Sequence, residues 1–225
     1  MNDMSKLVNG DDNTLVCAII NLTDIDLGVI TGAEIVTDEA LLAKPLHAYD
    51  IWIRVLNKVD DEQEWLALTH AVTYSGLKLL IYPSVLEVTV MAGMDYGYKG
   101  VIQCAPALTT ALLNDLIEPL TRPALFGIDY QDLTSFFIEN EGKVYYQRYA
   151  LVDNQCPELV IPHSFKQQNT QLGLLLVLTL HQDSDFSLLQ AVGQRVGEIK
   201  EGIQCVLGDR QAASAPEALG ILWFE

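Results

Sequence analysis

Leu172-Gly-Leu-Leu-Leu-Val-Leu-Thr-Leu180 runs through His181-Gln-Asp-Ser-Asp185 into Phe186, Leu189, Val192, Val196, Ile199, Ile203 and Val206, which recur at steps of three and four. The first piece is short and apolar throughout, as a buried strand is. The second carries one apolar stripe, as an amphipathic helix does. Asp183 or Ser184 can cap the helix start and Gly208 fits its end. The unit occurs a second time. Leu86-Glu-Val-Thr-Val-Met-Ala-Gly-Met-Asp95 leads toward a helix that begins after Pro106 and carries Leu108, Leu112, Leu116 and Leu120, with Pro119 and Pro123 stopping it. Two closures of strand, acidic turn and helix predict two small, similar α/β modules.

Working outward, residues 1–13 are polar and read as a disordered N-terminus. A first module over 14–122 opens with strands Leu15 to Leu22 and Leu27 to Val36 around a turn at Thr23-Asp-Ile-Asp26. Thr37-Asp-Glu then starts a long helix whose stripe is Leu42, Leu46, Tyr49, Ile53, Leu56 and Val59. Glu64 to Thr73, Leu77 to Pro83 and Val85 to Ala92 read as strands. A second module over 123–208 opens with a hairpin, Ser135 to Glu139 and Lys143 to Leu151, and lacks most of the long helix. Residues 209–225 read as a small-residue linker and an apolar tail, Leu219-Gly-Ile-Leu-Trp-Phe-Glu225. Ile221, Leu222, Trp223 and Phe224 are too apolar to stay in water; they pack in their own sheet or dock on a partner.

Composition narrows the function. Among 225 residues, 30 Asp and Glu face 13 Lys and Arg, a net charge of −17. Such a surface repels nucleic-acid backbones and anionic lipid headgroups, and suits a protein partner with a basic or apolar surface. No run approaches the roughly 18 apolar residues of a membrane span, and the polar start predicts no signal peptide, so the expected place is cytoplasmic. Cys17, Cys104, Cys156 and Cys205 are far apart and predict reduced, buried thiols.

Motifs for chemistry are lacking. Neither G-x-x-x-x-G-K-[ST] nor G-x-G-x-x-G occurs, and Gly93, Gly97 and Gly100 are loosely spaced around a turn. His163 with Cys156 makes two ligands, short of a tetrahedral set. Ser164 beside His163 has adjacency without nucleophile geometry. Asp24/Asp26 and Asp183/Asp185 suit turn and cap roles better than cation loops. The expectation is no enzyme, no metal and no cofactor. Tyr82, Tyr145 and Tyr149 are candidates to line a ligand cavity between sheet and helices.

The order strand, strand, helix, three strands, helix over residues 15–120 resembles the Roadblock / dynein light chain family. The matching pieces are Leu15-Val-Cys-Ala-Ile-Ile-Asn-Leu22, Leu27-Gly-Val-Ile30, Thr37-Asp-Glu-Ala-Leu-Leu42, and the strand Leu86 to Ala92 with its helix. The family's usual leading helix is missing, and its Asp-x-x-Gly hairpin is only partly matched. The closing strand and helix of the second half also look like the end of a GAF domain. The resemblance implies an α+β chain of two profilin-like or GAF-like modules with antiparallel sheets flanked by helices. It implies a non-catalytic scaffold or regulator of a small GTPase or motor-type partner, forming a homodimer or an internal pseudo-dimer. A GAF/PAS-like small-ligand sensor and an acidic, chaperone-like binder of an extended segment are the alternatives.

Overall fold

The computed structural model describes residues 15–37, 49–56, 76–83, 97–122, 124, 127–140, 143–151, 173–181, 184, 186–199, 204–211 and 216–224. In chain order these form β1 (Cys17–Leu22), β2 (Ala33–Ile35), β3 (Ile51–Leu56), β4 (Leu77–Pro83), β5 (Gly100–Cys104), α1 (Thr109–Thr121, entered by a 3₁₀ turn at Pro106–Leu108), α2 (Tyr130–Glu139), β6 (Lys143–Ala150), β7 (Gly173–Leu180), α3 (Phe186–Ile199), β8 (Gln204–Gln211) and β9 (Ala218–Phe224).

The strands make one nine-stranded sheet in the order β2-β1-β3-β4-β5-β6-β9-β7-β8. From β2 to β6 every neighbouring pair is parallel. β9 enters antiparallel between β6 and β7, and β8 pairs parallel with β7. Parallel neighbours need a crossover. α3 supplies it between β7 and β8, and α1 with α2 between β5 and β6.

Both faces of such a sheet are covered, and its strands are apolar without strict alternation. β3, β7 and β9 are buried at every position. On one face a single core runs under α1 and α2 from Ile19 and Ile53 across to Val177 and Phe224. On the other face of β7 and β9, Leu188 and Val192 of α3 cover Leu174, Leu176, Leu219 and Ile221. The remaining outer face carries two smaller clusters, one around Trp52 and one around Tyr82.

The chain is mixed α/β, as its sequence predicts, but it does not form two antiparallel modules. The sheet is continuous and mostly parallel. β2 lies parallel to β1, so residues 23–32 are a crossover and not a hairpin. The helix expected from Thr37 to Val59 is a strand at Ile51–Leu56, where Ile, Trp, Ile and Val fit a strand buried on both faces. The strand expected at Ser135 to Glu139 is the second half of α2. The closing helix ends at Ile199, and Cys205, Val206 and Gly208 belong to β8. The strands read at Glu64 to Thr73 and Val85 to Ala92 lie outside the described residues, as do Cys156, His163 and Ser164.

Candidate functional site

Ligands of open parallel sheets bind beyond the carboxyl ends of the strands where the strand order reverses, which here is at β1 and β3. The turn after β1 is described in full. Asn21 Oδ1 accepts from the Thr23 N–H at 3.1 Å and from the Thr23 hydroxyl at 2.6 Å. Thr23 Oγ1 accepts from the Ile25 N–H at 3.1 Å, and Asp26 Oδ1 from the Gly28 N–H at 2.9 Å. Asn21 Nδ2 closes the loop on the Ile25 carbonyl at 2.8 Å. Three backbone donors are thus spent on the turn's own side chains, and Asp24 and Asp26 stand exposed beside them. After β5, Pro106 has no N–H, and the Leu108 and Thr109 N–H groups bond to the Ala105 and Pro106 carbonyls. A phosphate site needs free N–H groups or a cation, and neither turn, 23–28 or 105–109, carries a Lys, Arg or His.

The opposite pole is built by α2. Asp129 and Asp132 form a reciprocal capping box at its start. The Tyr130 hydroxyl donates to the Asp50 carbonyl, just before β3, at 3.1 Å. Phe137 lies against Gly100 at the start of β5, and Asn140 Oδ1 accepts from the Gly173 N–H at the start of β7 at 2.9 Å. α2 therefore crosses the amino ends of the parallel strands. Leu133, Phe136 and Phe137 are buried beneath it. Its outer side forms a shallow depression of about 350 Å³ lined by Tyr130, Gln131, Thr134, Ser135, Ile138 and Glu139. Ile138 is 56% exposed there.

Between the poles, α1 is pinned to the sheet by buried charge. Asp115 is wholly buried and takes Arg148 Nη1 on both carboxylate oxygens at 2.8 Å, Arg210 Nε at 2.8 Å and the Tyr146 hydroxyl at 2.5 Å. Arg148 Nη2 also donates to Thr179 Oγ1 at 2.8 Å, and Arg210 Nη1 to Glu118 at 2.7 Å. Burial pushes the Asp115 carboxyl up, against the pull of the two guanidinium groups and the tyrosine. Burial and the neighbouring carboxylate push the Tyr146 hydroxyl well up. Gly220 on β9 makes room for this cluster, since a Cβ there would collide with the Asp115 carboxylate. The cluster is a clamp between α1, β6, β7, β8 and β9. Sequence spacing gives no signal for it, because Asp115 is 31 to 95 residues from Tyr146, Arg148 and Arg210.

The candidate residues from the sequence fall as follows. Ile221, Leu222, Trp223 and Phe224 lie in β9, hydrogen-bonded to β6 and β7 on either side. Tyr82, Gln103 and Tyr145 stand in one row across β4, β5 and β6. Tyr82 is buried with Leu80 and Tyr98, and burial raises its hydroxyl pKa. Tyr145 stacks on Trp223 at 5.7 Å with Lys143 Nζ over its ring, and the Tyr149 hydroxyl donates to Gln147 Oε1. Cys17 and Cys104 are free and buried, whereas the free Cys205 is exposed on the edge strand. Among the described residues no group of three His, Cys, Asp or Glu side chains could hold a metal ion, and no helix is long and apolar enough to cross a membrane.

No protein-family model and no curated protein matches the sequence. Solved structures do match the fold. FtsZ from M. jannaschii, in a point-mutant form, superposes with a TM-score of 0.55 at 11% identity, over 83% of this chain and 67% of that one. TubZ from Bacillus thuringiensis serovar israelensis, solved as GDP-form protofilaments, gives 0.51 at 9% identity, over 79% and 62%. CetZ from Methanosaeta thermophila gives 0.51 at 12% identity, over 79% and 61%. The chain thus spans about two thirds or less of the length of these structures. The Roadblock / dynein light chain resemblance is overturned: its opening hairpin and its long helix are a parallel crossover and the inner strand β3. The tandem-module reading, the non-catalytic scaffold or GTPase regulator, and the sensor and chaperone alternatives fall with that architecture, and the expectation of no enzyme, drawn from absent motifs, is overturned by the match to the FtsZ and TubZ structures. The sheet and helices of this chain have the FtsZ/tubulin fold.

Proposed function

We propose that this chain is a self-assembling protein of the FtsZ/tubulin type, its copies stacking head to tail with the amino pole of one on the carboxyl pole of the next, and with guanine nucleotide as the ligand class. The observation that carries the reading is the fold match to FtsZ and to TubZ, the latter solved as protofilaments. The two poles support it. One is the outer side of α2 with exposed Ile138, and the other is the set of strand ends, so the two surfaces differ and a contact between them is heterologous. Heterologous contacts that do not close into a ring propagate as filaments. Nucleotide enters from the TubZ structure's GDP form. The strand-end turns at 23–28 and 105–109 bring no Lys, Arg or His to its phosphates.

Copies that each carry a net charge of −17 repel one another, so assembly should respond strongly to salt and magnesium. The test is sedimentation and light scattering of the purified chain across salt concentrations, with GTP, with GDP and without nucleotide, with electron microscopy of any pellet and phosphate release in the same samples. Filaments whose amount depends on GTP support the reading. A monodisperse monomer under every condition overturns it.

A further inference from the structure

We infer that the turn after β1 is closed to phosphate in this chain, so that the guanine nucleotide of the preceding reading, on which this inference rests, gains no contact from it. Three observations converge. Three of the turn's N–H groups, those of Thr23, Ile25 and Gly28, are already bonded to Asn21, Thr23 and Asp26 side chains at 3.1, 3.1 and 2.9 Å. The turn is held from both sides, by Asn21 Nδ2 on the Ile25 carbonyl at 2.8 Å and by Leu27 and Ile30, both 3% exposed in the main core. Opening it to free those donors means breaking this set and withdrawing Leu27. Finally, Asp24 and Asp26 place two carboxylates where a cradle places cations or bare amides.

The consequence is an inverted electrostatic signature. A phosphate cradle loses affinity when its turn is altered and when salt rises. Here the turn repels. Replacing Asp24 and Asp26 with asparagine removes two negative charges, and the amide oxygen introduced at position 26 can still accept from the Gly28 N–H. At water-like dielectric and about one Debye length of separation, relief of that repulsion tightens a diphosphate on the order of fourfold.

Two measurements decide it. In the first, a fluorescent GDP analogue is titrated, in EDTA and without magnesium, into the wild-type chain and into Asp24→Asn/Asp26→Asn, at low and high salt. The inference expects the variant to bind about fourfold tighter and the wild type to hold or gain affinity as salt rises. Weaker binding by the variant overturns it. In the second, the backbone amide resonances of Thr23, Ile25 and Gly28 are followed by NMR while inorganic pyrophosphate and then GDP are added with magnesium. Unmoved resonances support the inference, and large shifts at all three overturn it. If neither chain binds the analogue, the nucleotide part of the preceding reading fails, and the pyrophosphate titration still decides the turn.

Discussion

Replacing Asp115 with Ala removes the one carboxylate on which two buried arginines converge. Arg210 is 7% exposed and Arg148 13%, so neither guanidinium can recover a full water shell. Breaking a buried ion pair from one side costs roughly 3–5 kcal/mol, because the remaining charge stays buried. Here the loss is cushioned. Arg148 keeps Thr179 and Arg210 keeps Glu118, each through a bond of 2.7 to 2.8 Å. The lower part of the range, about 3–4 kcal/mol, is therefore expected. For a chain of this size each kcal/mol moves the melting temperature by about 2–4 °C, so Asp115→Ala should melt about 10 °C lower. Circular dichroism melts and urea midpoints read this directly. A double variant, Asp115→Ala with Arg148→Met, removes one of the stranded cations as well. It should recover at least about 1 kcal/mol relative to the single variant, since an apolar replacement of a buried ion group is often close to neutral. A drop of under about 2 °C in the single variant, or strict additivity in the double one, would show that Asp115 is not the hub of a desolvated cluster.

Gly220→Ala presses a Cβ onto the same carboxylate from an inner strand that cannot shift, and should cost about 1–3 kcal/mol in urea unfolding. Alkali should destabilise the fold through its buried thiols. Burial pushes Cys17 from 9.0 up to about 12 and Cys104 up to about 11, so above pH 9 the unfolded chain gives up these protons first. Stability then falls with rising pH by about 1.4 kcal/mol per unit and thiol, over pH 9 to 11 for both, and Cys17→Ala/Cys104→Ala should flatten that slope in pH-dependent melts. Ile138→Asp on the outer side of α2 should leave the melting temperature within the roughly 0.5 kcal/mol band of surface substitutions and abolish sedimentable assembly, whereas unchanged assembly would place the contact elsewhere.

What the sequence shows of this fold depends on how each element is buried. β1, α1, β7, α3 and the extended β9 are legible, because each carries one dominant pattern bounded by Pro, Gly or Asp. β3 is not. Tyr49, Ile53 and Leu56 fall by chance on a helical spacing, and a strand buried on both faces has no alternation to oppose it. The run of Ile, Trp, Ile and Val is the better guide, being poor helix and good strand residues. α2 is hidden differently. Its start is signalled by Asp129 and Asp132, a capping box written with aspartates in place of the usual Ser or Thr and Glu. β8 reads as helix because Ile203 and Val206 continue the stripe of α3 past its end. The clamp is invisible for a simpler reason. Asp115, Arg148 and Arg210 meet only after β6 to β9 have assembled in an order that differs from the order of the chain.

That assembly order also explains why so costly a cluster sits where it does. β5 and β6 share three paired positions, against seven between β6 and β9 and eight between β7 and β8. The seam between β5 and β6, which the α1 and α2 crossover spans, is therefore short, and the sheet alone holds it with few hydrogen bonds. α1 follows β5 in the chain, yet its polar side is bonded to β6 and β8 across the seam. Apolar packing by Leu112 and Leu116 would hold the helix down without fixing its rotation or its height, because dispersion and burial are non-directional. Two guanidinium groups and a hydroxyl on one carboxylate are directional, and they fix both. α2 then closes the amino end of the seam, with Phe137 on the first residue of β5 and Phe136 on Phe224 at 5.1 Å. Head-to-tail stacking, as proposed, requires the two parts of the sheet to be held in one geometry. In this chain the hydrogen-bonded ladder is short at the seam, and the buried charges and the aromatic contacts of α2 supply the missing constraint.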